Sequence, residues 1–335
     1  MRSYAIVGTG AVGGYYGACL QKSGLDVHFL LRSDYAEVRE NGLRVDSPKG
    51  DIVLPLVMAY SHPEDMPRCD VVVVAWKTTH NKYLRETLPR LVKPGGVVLV
   101  LQNGLDPERE VAPHAGTAQV LAGLCFLCSR KEGPGHIRHQ DYGAITLAAY
   151  PGLAEGSQGA EGAKAAESDA GKGPPGRARP MGVTGAMRAV GADFESAGIE
   201  IKLHDDWRAA RWRKLVWNIP FNGLCALWKL DTRALLAMPG KRKLVRELML
   251  EVMAGAALDG CPLSPEFADR MLSATDAMTP YEPSMKLDRD EGRPMELPAI
   301  YGRTLEAIRM AGGEALLMES LLADLQLVEL GGKPG

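Results

Sequence analysis

The sequence predicts an α/β fold: an N-terminal, doubly wound, mostly parallel sheet followed by an all-helical C-terminal domain. Three observations predict it. A glycine-rich turn follows an apolar run at the N-terminus. Apolar, β-branched runs then alternate with helix-like stretches. Beyond residue 205 the apolar residues recur at three- and four-residue spacing, the helical period.

The opening run Tyr4-Ala-Ile-Val-Gly8-Thr9-Gly10-Ala11-Val12-Gly13 reads as a buried strand, a tight turn and a helix start. Gly8 allows the chain to turn sharply out of the strand. Gly10 leaves room for the backbone to approach a pyrophosphate, and Gly13 lets the helix pack closely on the sheet. The helix N-terminus then offers unpaired N–H groups and a partial positive charge to phosphates. Strand before and small-residue helix after (Gly14, Gly17, Ala18) are the context that gives this motif meaning in a Rossmann-type unit. The plainer alternative is a glycine turn that only packs a helix on a strand.

Residues 26–31, DVHFLL, read as the second strand, and Arg32 follows it, nineteen residues after Gly13. A carboxylate at this spacing accepts from a ribose 2′-hydroxyl and repels a 2′-phosphate. A guanidinium does the reverse. The reading is therefore NADP rather than NAD, against the alternative of an ordinary solvated loop cation.

Residues 70–75 (DVVVVA) form an unbroken run expected of a strand buried on both faces, and residues 96–101 (GVVLVL) form another. Residues 120–128 and 144–149 are weaker strand candidates. From Pro151 to about Pro180 the chain is rich in Gly, Ala, Ser, Pro and charge, with almost nothing to bury, and reads as a flexible insertion. Met181 to Ser196 then reads as an amphipathic helix, and Ile199 to Leu203 as a short edge strand. The domain boundary falls near Asp205: residues 1–205 for the cofactor-binding domain, 206–330 for the helical one. The last residues, Gly331 to Gly335, read as a frayed tail.

Composition limits the partners. At 335 residues, two domains are the default. Thirty-nine basic residues balance 41 acidic ones, so nothing marks a nucleic-acid or anionic-membrane binder. No apolar run is long enough for a membrane span, and the strand at the N-terminus argues against a signal peptide. The six cysteines are scattered, mostly in apolar stretches, as in a reduced cytoplasmic protein. Cys125 and Cys128 have CxxC spacing, but they lie in a strand-like run with no second ligand pair, so no metal is expected.

In open parallel sheets, ligands bind beyond the carboxyl ends of the strands. Lys77 and Asn103 stand there. Each reads equally as a site residue or as a plain helix-start lysine and turn asparagine. The run WRKLVWNIPFN, residues 212–222, is sharper. Lys214, Asn218 and Asn222 are four apart and form one polar stripe on an otherwise apolar helix. Such groups are costly to bury unless something pairs with them. A polar substrate would do so, as would an internal hydrogen-bond network. Pro220 is expected to bend the helix. Glu296 reads as a first-turn acid of a helix running to Met310. It either favours the helix dipole or orients a lysine across a cleft.

Together these pieces give a resemblance. GTGAVGGYYG at the start, Arg32, VVVVAWK, LQNG, WRKLVWNIPFN, SMKLD and GRPMEL run in order from residue 4 to about 303, and in this combination the chain resembles the ketopantoate reductase (2-dehydropantoate 2-reductase) family. The insertion after Pro151 is not part of the compact family pattern. The resemblance implies a Rossmann domain, a helical domain and an active site between them. It implies that Lys214 is the general acid and that Glu296 supports it. It gives Asn218, Asn222, Ser284 and Asn103 to the substrate. It gives Gly8, Thr9, Gly10, Ala11, Val12, Gly13 and Arg32 to NADP(H), with Lys77, Asn103 and Glu296 near the nicotinamide. The implied reaction is NADPH-dependent reduction of 2-dehydropantoate to (R)-pantoate, on the route to pantothenate and coenzyme A, by a cytoplasmic homodimer. The alternatives are a reductase of a different 2-oxo acid, and a non-catalytic NADPH-binding sensor.

Overall fold

The computed structural model describes residues 1–152 and 180–331. Most of the stretch expected to be a flexible insertion, and the terminal residues 332–335, lie outside the described residues. The strands are β1 (Ser3–Val7), β2 (Asp26–Leu30), β3 (Leu43–Asp46), β4 (Ile52–Leu54), β5 (Met58–Tyr60), β6 (Cys69–Val74), β7 (Val92–Val100), β8 (Gln119–Gly133), β9 (His136–Ala149) and β10 (Ile201–His204). They form one sheet in the order β4-β3-β9-β8-β7-β6-β1-β2-β5, with β10 also on β9. From β5 to β8 every pairing is parallel.

The helices of this half are α1 (Ala11–Lys22), α2 (Tyr35–Asn41), α3 (Leu84–Leu91), α4 (Glu108–Val111) and α5 (Gly185–Ser196). Alternation along β6 explains its unbroken valine run. Val71 and Val73 join the core with Tyr16 and Leu20 of α1, while Val72 and Val74 join the core with Leu84, Leu88 and Leu91 of α3. Successive side chains of a strand point to opposite faces, so both faces must be apolar.

The second half is helical: α6 (Trp207–Trp228), α7 (Thr232–Leu236), α8 (Pro239–Leu258), α9 (Phe267–Ala277), α10 (Ser284–Asp290), α11 (Arg303–Met310) and α12 (Leu316–Gly331). Its core gathers Trp212, Ile219, Leu224, Val252, Ile308 and Leu321 around α6. Asp206 caps α6, accepting from the backbone N–H of Arg208 and Ala209 at 2.9 and 3.1 Å.

The reading of the strands needs correction. The two weak strand candidates are the longest strands, β8 and β9, and they pair antiparallel. Their outer halves carry Arg130, Lys131, Glu132, Arg138 and Asp141, and this polarity hides them from an apolar-run criterion. The short strands β3, β4 and β5 had no such run either. The helix expected to open at Glu296 does so: Leu297 is already helical, the Ile300 N–H donates to the Glu296 carbonyl at 3.0 Å, and the winding continues to Met310. Residues Pro298–Gly302 wind as a single π turn before α11, where Pro298 has no N–H to contribute. α6 runs continuously through Pro220.

Candidate active site

The sheet order reverses at β1, with β2 on one side and β6 on the other. The crevice at such a switch point is where open α/β sheets hold ligands. Four turns frame it. They follow β1 (Gly8 to Gly10), β2 (Leu31, Arg32), β6 (Ala75 to Thr78) and β7 (Leu101 to Gly104).

The three glycines of the first turn meet different surroundings. Gly8 has φ +97°, and a Cβ there would lie 2.5 Å from the backbone nitrogen of Trp76. Only glycine fits this turn. A Cβ on Gly13 would lie 2.1 Å from the carbonyl oxygen of Gly8, so this glycine serves the close packing of helix on strand. A Cβ on Gly10 would meet nothing within 4 Å. Packing within the described residues does not require a glycine at position 10, which directly precedes the α1 N-terminus. Thr9 donates from its hydroxyl to the Leu30 carbonyl at 3.3 Å, tying this turn to β2. Ala11 and Val12 start α1.

Arg32 is exposed just beyond β2, and among the described residues it has no carboxylate partner. Its charge reaches the turn after β6. The His80 imidazole is held below its usual range, first by burial and then by the charges of Arg32, Lys82 and Lys77. This corner of the crevice is therefore electropositive.

The polar stripe on α6 is present as the periodicity requires. Lys214, Asn218 and Asn222 are all buried, at 8, 4 and 3 % exposure. Lys214 Nζ donates to Asn103 Oδ1 at 2.8 Å, which joins α6 to the turn after β7. Burial pushes the Lys214 ammonium down to about 8, and the Arg211 charge adds to this, while Cys125 and Glu296 oppose it. A lysine so tuned holds its proton at neutral pH yet gives it up far more readily than a surface lysine. Asn222 Oδ1 accepts from the Met285 backbone N–H at 3.4 Å, so the stripe ends beside Ser284 at the start of α10.

Glu296 is buried, and its carboxylate Oε1 accepts from both the backbone N–H and the hydroxyl of Thr78, each at 2.9 Å. It thus caps the turn after β6 from the helical half, and its effect on Lys214 is that of a nearby charge. Lys77 pairs with Asp288 of α10, which Arg293 Nε also contacts at 3.0 Å. So SMKLD and GRPMEL, read as substrate-facing motifs, also grip the residues that follow β6.

Residues not singled out from sequence hold this arrangement. Arg211 is 1 % exposed. It forms an ion pair with the fully buried Glu108 of α4, and its Nη1 donates to the Gln102 carbonyl at 2.5 Å. Its sequence signal is its place three residues before Lys214, on the same helix face. Gln102 donates to the Trp76 carbonyl at 3.0 Å and to Asn81 Oδ1 at 2.6 Å, joining the turns after β6 and β7. Gly104, at φ +100°, presses against the π turn. A Cβ there would lie 2.4 Å from the Ala299 carbonyl oxygen, which accepts from Leu105 N–H at 3.2 Å. All six cysteines are buried thiols, and no group of side chains among the described residues has the makings of a metal site.

Residues 4–152 match the family model described as ketopantoate reductase PanE/ApbA, and residues 206–329 match the model of its C-terminal domain. The chain belongs to the ketopantoate reductase family. A 2-dehydropantoate 2-reductase from Nostoc sp. is 48% identical over 311 residues, 93% of this chain and 90% of that one. The crystal structure of 2-dehydropantoate 2-reductase from Geobacter metallireducens superposes with a TM-score of 0.85 at 40% identity, covering 97% of this chain and 99% of that one. The enzyme of the same name from Methylococcus capsulatus gives 0.81 at 31% identity, covering 99% and 98%.

Proposed function

We propose that this chain is an NADPH-dependent oxidoreductase that reduces 2-dehydropantoate to (R)-pantoate. The observation that carries this is the Lys214 ammonium, buried on α6 and held by Asn103 at the carboxyl end of the sheet. Reducing a ketone develops negative charge on its oxygen. A positioned ammonium stabilises that charge and supplies the proton, a contribution of roughly 10²–10⁴-fold.

The chain fits a nicotinamide dinucleotide of the NAD(P) kind. Open space beside Gly10, the N-terminus of α1 and Arg32, which has no carboxylate partner among the described residues, are the features its pyrophosphate and ribose ends need. The Arg32 guanidinium favours the 2′-phosphate of NADP over the bare ribose of NAD. When bound, the cofactor supplies the hydride. Residues Gly8 to Gly13 cradle the pyrophosphate. Asn103, Lys77 and Glu296 shape the nicotinamide end, and Asn103 fixes the Lys214 ammonium. Asn218, Asn222 and Ser284 hold the carboxylate and hydroxyl groups of the acid. The Glu296 charge favours the protonated form of Lys214, and its carboxylate ties the two halves together through Thr78.

In this reading residues 1–205 bind the cofactor, and residues 206–330 bind the acid and a second copy of the chain. Leu316, Leu327 and Leu330 stand exposed along α12 for that contact. No helix among the described residues is long and apolar enough to cross a membrane, and a cytoplasmic location suits the proposed role. The test is NADPH and NADH oxidation with a panel of 2-oxo acids, on the natural chain and on Arg32→Asp. 2-Dehydropantoate with NADPH is expected to be the best pair, and Arg32→Asp to weaken NADPH far more than NADH. An equal effect on both cofactors refutes the 2′-phosphate role.

A further inference from the structure

Along α6, every residue from Lys214 to Ala226 is buried except Trp217. Trp217 precedes Asn218 and lies 60° around the helix from Lys214, so it flanks the polar stripe. Its ring stacks on Phe221 at 4.8 Å with an interplanar angle of 26°, and its Nε1 donates to Thr275 Oγ1 at 3.0 Å. The ring is thus fixed, not free to swing. Beyond it stand Tyr281, with ring centroids 6.4 Å apart, and Met278. Cys128 of β8 completes the cluster from the other half of the molecule.

The segment carrying Met278 and Tyr281 is pinned across the cleft. The Tyr281 hydroxyl meets the Ser129 backbone, and Arg130 pairs with Glu282 at 3.6 Å. Three residues after Tyr281 the chain reaches Ser284. This apolar cluster therefore lies between two groups assigned to the substrate, the α6 stripe and the start of α10, and it contacts both halves.

We infer that Trp217, backed by Met278 and Tyr281, is the wall that limits the size of the 2-oxo acid's side chain. The acid's polar groups belong to the stripe, and its non-reacting carbons face this rigid aromatic surface. A short branched alkyl group fits against it. A phenyl group needs the volume that the indole already fills. The inference rests on the reading of the site as a 2-oxo acid reductase, and it adds residues that set substrate size without touching the proton or the cofactor.

The experiment is steady-state NADPH oxidation by the full chain and by Trp217→Ala, Trp217→Phe and Met278→Ala. The substrates are 2-dehydropantoate, 3-methyl-2-oxobutanoate and phenylpyruvate. In Trp217→Ala the ratio of kcat/KM for phenylpyruvate over 2-dehydropantoate is expected to rise at least about tenfold, the scale on which a hydrophobic pocket discriminates by size. KM for NADPH and the pH dependence of kcat are expected to stay unchanged. Trp217→Phe should move the ratio less, and Met278→Ala should move it in the same direction as Trp217→Ala. If Trp217→Ala does not fold, Met278→Ala decides. A folded variant that loses activity equally on all three acids, or leaves that ratio unchanged, overturns the inference. If the natural chain does not turn over 2-dehydropantoate, that reading of its substrate fails separately. The ratio between the remaining two acids then still tests the wall.

Discussion

Replacing Lys214 by Met should raise stability at neutral pH while removing most of the activity. The methionine keeps much of the side-chain volume and deletes the charge. In the folded protein burial lowers the Lys214 pKa from 10.5 to about 8. At about 1.36 kcal/mol per pH unit, holding the ammonium costs roughly 3 kcal/mol. The substitution leaves Asn103 Oδ1 without its donor, which costs about 1 kcal/mol in return. The expected net gain is about 2 kcal/mol at pH 7.

The sign can be followed with pH. A lysine with a depressed folded pKa is fully charged in both states below about 8, so its cost is complete there. Between about 8 and 10.5 the folded protein has lost the proton that the unfolded chain still holds. The cost shrinks through that window and is absent above 10.5. Urea unfolding followed by tryptophan fluorescence should therefore show Lys214→Met more stable than the natural chain at pH 7, with that gain gone by pH 10.5 and the variant then lower by up to about 1 kcal/mol for the lost Asn103 bond. Turnover in the reductive direction should fall by about 10²–10⁴-fold in the variant. In the natural chain it should decline as pH rises through about 8. A stability difference that is the same at pH 7 and pH 10.5, or a variant that keeps its turnover, refutes the assignment of Lys214 as a buried, proton-donating ammonium.

Other outcomes follow from neighbouring residues. Gly10→Ala should leave the thermal midpoint unchanged and weaken cofactor binding, because its Cβ meets no protein atom. Gly8→Ala should lower the midpoint itself, since φ there is +97°. Arg211→Met should destabilise by about 3–5 kcal/mol in chemical denaturation, because it strands the Glu108 carboxylate in the interior. Adding Glu108→Gln should recover much of that loss. Asp106 has φ +59°, and its carboxyl is pushed up to about 6, first by burial and then by Glu108. Its folded pKa lies above the unfolded value, so its stabilising protonation is gained as pH falls through 6 and lost as pH rises. Asp106→Asn should therefore stabilise at pH 8 by up to about 3 kcal/mol, and the gain should fade towards pH 4.

What was legible in the sequence was local. The helical period placed Lys214, Asn218 and Asn222 on one face, and they lie there together, buried. The valines of β6 and the glycine turn after β1 are equally local signals. What was not legible depends on partners distant in the chain. Glu296 looked like an acid serving its own helix, yet its hydrogen bonds go to Thr78, 218 positions away. Lys77 carried no hint of Asp288. The β8–β9 hairpin was underread because its outer half is polar, and pairing there rests on backbone hydrogen bonds rather than on an apolar run. Arg211 stood among other cations in the Trp207–Lys214 run, and only its place three residues before Lys214 set it apart.

The seam between the two halves has a consequence for redesign. Arg211, Asn103, Gly104 and Thr78 bolt the α6 side of the molecule to the turns after β6 and β7. Arg32 sits after β2, on the far side of β1 from that seam. On the proposed role of Arg32, coenzyme preference can therefore be rewritten at the β2 turn without disturbing Lys214. A graft exchanging the whole N-terminal half would have to import a matching Asn, Gly and Thr, or it would leave Lys214 without its anchor. The natural unit of transplantation in this protein is one turn, not one domain.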